Sequence, residues 1–81
     1  MATEELITAK EAGIAVKGNL EELREGSSPI DFVVEEVELD ESEGYWRVVC
    51  SYLENFLSSK KTFKEFKVDA ESGEILSMKN R

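Results

Sequence analysis

Any reactive chemistry in this chain must come from a short inventory. There is one thiol, Cys50, and no histidine. A lone thiol cannot close an internal disulfide. With no imidazole it cannot form a Cys-His pair, and it cannot supply the four nitrogen or sulfur ligands of a structural zinc site. Acid–base catalysis would fall to Glu, Asp, Lys, Tyr or Cys, and no motif sets a nucleophile beside a base. Cys50 alternates with Trp46, Val48 and Tyr52; in that setting it reads as a small buried hydrophobe rather than a nucleophile. Glu35, Glu36 and Glu38 crowd one extended run. Alternate strand residues can converge on a cation, but no loop has the calcium-site pattern, and a solvated face is the preferred reading. The expectation is a chain that is not an enzyme, with no catalytic residues, no cofactor and no metal.

Charge narrows the partners. The net charge is −8, unevenly spread. Residues 1–44 hold three basic residues against thirteen acids; residues 45–81 hold seven against five. Phosphate backbones need clustered Lys and Arg, so nucleic acid and anionic membrane are poor partners. Lys60, Lys61, Lys64 and Lys67 form the exception. They read as a solvated loop and strand edge, where lysine also discourages aggregation. No apolar run approaches the ~20 residues of a membrane helix. The start, MATEELITAKEAG, lacks a basic stretch followed by an apolar one, which reads as no signal peptide. The compartment expected on that basis is the cytoplasm, or outside it if a leader has been removed.

With 81 residues, 41% hydrophobic and 35% charged, one folded domain spanning 1–81 is expected, with a small core. Thr8 and Glu11 make a capping box, and Ile7 can staple onto Ala12. Ala12, Val16, Leu20 and Leu23 recur on one helical stripe, giving a helix near 9–24. Gly13 and Gly18 weaken its middle: either they allow close packing on a sheet, or Gly18-Asn19 breaks the helix. Gly26 sits where a C-cap glycine belongs, and Pro29 stops the helix from resuming.

Strands follow. In Ile30 to Leu39, Val37 and Leu39 share one face, and Phe32 and Val34 share the other with Glu36 and Glu38. The Val33-Val34 and Glu35-Glu36 doublets break strict alternation, through a bulge or through cover on both faces. Tyr45 to Leu53 is the clearest strand. Its Trp46, Val48, Cys50 and Tyr52 face should meet the helix, with Arg47 and Ser51 opposite; Trp46 and Tyr52 read as core aromatics. Phe56 and Leu57 extend that strand or cover the sheet edge, and Ser58 to Lys61 is a loop. Phe66 and Val68 alternate into a third strand, and Ile75-Leu76 begin a return strand. Asp40 to Gly44 and Asp69 to Gly73 share an Asp-x-x-x-Gly frame, one hairpin solution used twice. The fold class is α+β: an N-terminal helix packed on an antiparallel sheet of three to four strands, in two layers.

Helix, FVVEEVELDESEGYWRVVCSYLEN and KEFKVDAESGEILSM in this order resemble a PepSY domain, the family named for propeptides of thermolysin-type peptidases. The likeness covers roughly residues 8–79. Its best parts are Val68 to Leu76 and the hairpin from Glu38 to Trp46. The resemblance implies a helix on an antiparallel sheet and a noncatalytic module. In propeptides such domains inhibit the attached protease or assist its folding; others stand alone. It offers no catalytic residues to carry over.

The functional expectation is therefore a binding or regulatory module acting by protein contact, with Phe32, Val34, Phe56 and Phe63 as candidate contact residues if they escape the core. The narrower alternative is a propeptide-type protease inhibitor or folding assistant. Another is a small-ligand or peptide binder on the sheet face. The expected state is a monomer or weak homodimer.

Overall fold

A computed structural model describes residues 6–26 and 28–81. Residues 1–5, part of the stretch MATEELITAKEAG read as carrying no signal peptide, and Ser27 of the connector lie outside the described residues. The elements run α1 (Ala9–Leu23), β1 (Ile30–Asp40), β2 (Tyr45–Leu53), β3 (Thr62–Asp69) and β4 (Ile75–Asn80). The four strands form one antiparallel sheet in the order β1-β2-β3-β4. The helix covers one face, giving the two-layer α+β architecture expected of short connections. Among the described residues no helix is long and apolar enough to cross a membrane.

Thr8 caps α1 with both halves of the capping box in place, and the helix runs through Gly18 unbroken. Ala12, Val16 and Leu20 are buried against Val48, Cys50, Tyr52, Phe66 and Val68 of the sheet. Leu23, read as the end of that stripe, is 60% exposed, because the helix stops there and the chain turns away. The C-terminus also differs from expectation. Glu25, not Gly26, takes the left-handed position next to the cap, at φ 56°. Its amide donates to the Glu22 carbonyl and that of Gly26 to the Glu21 carbonyl, the crossed pair of a Schellman ending.

The two Asp-x-x-x-Gly frames fold alike. In each, the Gly amide donates to the Asp carbonyl, at 2.8 Å from Gly44 to Asp40 and 2.9 Å from Gly73 to Asp69. Each Asp carboxylate accepts local amides: Glu43 for Asp40, Glu71 and Ser72 for Asp69. Each Gly has positive φ. The turns are also joined to one another. Ala70 donates its amide to the Gly44 carbonyl and accepts from the amide of Ile7, which leaves Ala70 1% exposed.

In β1 the sequence reading of the faces is corrected. Val34 pairs with Cys50, but Glu36 pairs with Val49. Glu35 is therefore accommodated as the extra residue of a bulge, and the alternation changes parity across it; a second register shift lies between Ile30 and Val33, where Asp31 has φ 53°. Phe32 and Val34 thus share the helix side with Val37. Glu36 and Glu38 project from the other face, where both accept hydrogen bonds from Arg47.

Candidate functional site

The four residues singled out as contact candidates fall in three places. Phe32 and Val34 line a groove between α1 and β1, joined by Val37 and by Ala9, Lys10, Gly13, Ile14 and Lys17 of the helix. Phe63 is 43% exposed on the opposite, open face of the sheet, opposite Ser51 of β2. Phe56 belongs to neither face. It sits with Leu57 in the β2–β3 loop, 87% and 95% exposed respectively. The Asn55 carboxamide accepts from the Leu57 amide at 2.8 Å. That local turn explains why the pair neither extends β2 nor covers the sheet edge, as the sequence reading had it.

The groove is the apolar one of two concavities among the described residues; the other, of about 420 Å³ and more polar, is lined by Leu6, Ile7, Thr8 and Glu11. The groove holds about 360 Å³, and its walls are almost entirely apolar carbon. Its position follows from the local sequence. Positions 10, 14 and 17 form one flank of α1, offset from the buried stripe of Ala12, Val16 and Leu20. Gly13 has no side chain, which lets the helix approach β1 closely: a Cβ there would lie 3.3 Å from Val34 Cγ2. The parity change at Glu35 turns Val34 and Val37 into the same space. Both valines are 38% exposed and Ile14 is 60% exposed. Sequence reasoning did not find Ile14 or Val37 as site residues. The available signal was an isoleucine off the buried stripe, one step from a glycine and between two lysines.

On the open face Arg47 bridges Glu36, Glu38 and Glu65, and Glu65 also meets Lys79 and Arg81. The hydrogen bonds that Arg47 donates to Glu36 and Glu38 hold its guanidinium charged beyond its ordinary range. Such solvent-screened surface pairs add little to stability. Their side chains nonetheless shelter Val49, which is 3% exposed. The four lysines do not make one patch. Lys64 bonds to Asn80, whereas Lys67 lies over the Tyr45 ring on the open face.

Two groups with reactive side chains, Cys50 and Ser51, are buried in β2. Cys50 is fully buried, and burial pushes its thiol up to about 11. Ser51, also fully buried, donates to Glu35 at 2.6 Å, which satisfies a hydroxyl that would otherwise be costly to bury. Among the described residues no three Cys, Asp or Glu side chains are grouped to hold a metal ion. No family model, curated protein or solved structure matches this chain.

Proposed function

We propose that this domain is a noncatalytic binding module that works by contact with another protein, and that the α1–β1 groove is its contact site. The observation that carries this reading is the groove itself: an apolar concavity at the rim of the two layers, left open by a helix flank and an edge strand. Exposed contiguous apolar surface of this kind marks interaction sites. The resemblance of Val68 to Leu76 and of the Glu38–Trp46 hairpin to PepSY domains supports the same class of role. Inhibition or folding assistance of a protease is its narrower form. A volume of about 360 Å³ also suits a small apolar ligand, the second reading.

The test is paired capture from cell lysate with the wild-type domain and with Ile14→Asp. Ile14 is exposed, so the variant folds while its groove is charged. A stoichiometric partner kept by the wild type and lost by the variant supports the reading. A partner kept equally by both removes the groove from it, and empty capture from both overturns the contact role.

A further inference from the structure

We infer that the groove takes an extended segment added as a fifth strand along the outer edge of β1, with apolar residues turned to the helix side and basic residues to the open face. This deepens the contact reading above and rests on it.

Three observations carry it. First, β1 is an edge strand, and among the described residues no strand pairs with its outer side. An open edge offers alternate unpaired amides and carbonyls to an incoming chain. Beyond the bulge at Glu35, the stretch from Glu36 to Asp40 pairs with β2 in unbroken register, so its backbone is regular enough to template another strand. Second, the groove lies along that edge. Residues of an added strand pointing to the helix side would cover Ile14, Val34 and Val37, which are 60%, 38% and 38% exposed. The residues between them would point the other way.

Third, charge decides what those other residues are. β1 contains Asp31, Glu35, Glu36, Glu38 and Asp40 and no basic residue. On the open face Glu36 and Glu38 share the one cation Arg47, and their side chains remain 53% and 70% exposed. Lys or Arg on an incoming strand meets this acidic row. Like charges directly opposite are destabilising in a sheet. A second copy pairing β1 to β1 would set the acids of one strand against those of the other, so self-pairing is disfavoured and a basic partner favoured.

The experiment uses the full chain and two eight-residue probe peptides. One alternates Val and Lys, the other Val and Glu; both are N-methylated on one edge so that they cannot assemble with themselves. Affinity is measured by titration, and residue-resolved amide hydrogen exchange locates the binding. The Val–Lys peptide is expected to bind at least tenfold tighter and to protect amides of β1 while those of β4 are unchanged. The preference shrinks at high salt, as it must for exposed charges. Glu36→Lys with Glu38→Lys is expected to reverse the order of the peptides, and Ile14→Asp to weaken both, with the fold of each variant checked by thermal unfolding. Equal binding of the two peptides, protection at β4, no binding of either, or concentration-dependent pairing of β1 with itself would each overturn the inference. If lysate capture keeps an Ile14-dependent partner while neither peptide binds, strand addition falls and the contact role stands. If capture is also empty, both fall.

Discussion

Gly13 of α1 packs its bare backbone against the side chain of Val34 on β1: a Cβ built on the glycine would lie 3.3 Å from Val34 Cγ2. Gly18, one and a half turns on, has nothing within 4 Å of the same position. The pair separates helix propensity from helix–strand packing. Gly18→Ala should stabilise the domain by ~1 kcal/mol, the propensity difference alone. Gly13→Ala gains the same propensity but must push Val34 aside by a few tenths of an ångström. Val34 borders open groove and can yield, so a smaller net gain, less than ~0.5 kcal/mol, is expected. Urea unfolding of both variants checks this. Equal gains would mean the contact exerts no pressure, and a loss at Gly13 would mean that β1 is held rigidly.

The helix end offers a second gain. Glu25 sits at φ 56°, where a side chain costs ~1–2 kcal/mol that glycine avoids. Part of that relief is offset by the greater freedom of glycine in the unfolded chain. Glu25→Gly should therefore raise stability by ~0.5–1 kcal/mol. Thermal unfolding at neutral pH reads the effect. An unchanged or lowered midpoint would show that the Schellman ending does not need its left-handed residue relieved.

Trp46 joins the sheet to the segment that leads into α1. Its ring packs against the buried cluster, and its Nε1 donates to the Ile7 carbonyl at 3.0 Å. Trp46→Phe keeps most of the packing and drops the bond, so a loss of ~1–2 kcal/mol is expected. Trp46→Ala should cost ~3–5 kcal/mol. Phe56→Ser is the control: at 87% exposure it should stay within ~0.5 kcal/mol of wild type. A Trp46→Ala loss under ~1 kcal/mol would remove the indole from the core and reopen a ligand role for it.

Where local chemistry dominates, the fold was legible in the sequence. Thr8 and Glu11 announced the start of α1, and the shared frame at Asp40 and Asp69 announced both hairpins. The alternation of Trp46, Val48, Cys50 and Tyr52 marked the covered face. What could not be read depended on parity and on neighbours distant in sequence. The doublets at 33–36 signalled a bulge without saying which residue would be extra, and the identity of Glu35 decides where Phe32 and Val34 point. Ala70 looks like an ordinary turn residue; it is buried because Gly44 and Ile7 bond to it from two other parts of the chain. The groove was half legible, through Phe32 and Val34. Ile14 joined it only once the helix had been set beside an edge strand.

Acid should act on the two hairpin turns. Hydrogen bonds from the Ser42 hydroxyl and the Glu43 amide hold the Asp40 carboxyl below its ordinary range, and the Ser72 and Glu71 amides do the same for Asp69. A carboxyl whose folded pKa is depressed contributes stability that is fully present above its unfolded pKa. That contribution is lost as pH falls through the folded value. Unfolding midpoints are therefore expected to fall as pH drops through and below the ordinary carboxylate range, with part of the slope due to these two groups. Replacing both, Asp40→Asn with Asp69→Asn, should flatten that part of the profile while lowering stability at pH 7. A double variant that keeps the wild-type slope would show that the acid response arises elsewhere.

Cys50 gives a direct reading of core integrity. It is fully buried, and burial raises its thiol to about 11, against a weak opposing pull from Lys64. At pH 8 only roughly one thiol in a thousand would be ionised even if reagent could reach it. Modification by a disulfide reagent should therefore be slow in buffer and should accelerate steeply across the urea unfolding transition, because reaction waits for opening. Cys50→Ala and Cys50→Ser then separate packing from polarity. Alanine leaves a small void, whereas serine buries a hydroxyl among apolar neighbours at a further ~1–3 kcal/mol unless it finds a partner. Serine is expected to be the worse substitution. Fast labelling in buffer, at a rate that urea does not change, would place the thiol outside the core and remove the helix from the face that Trp46, Val48 and Tyr52 share with it.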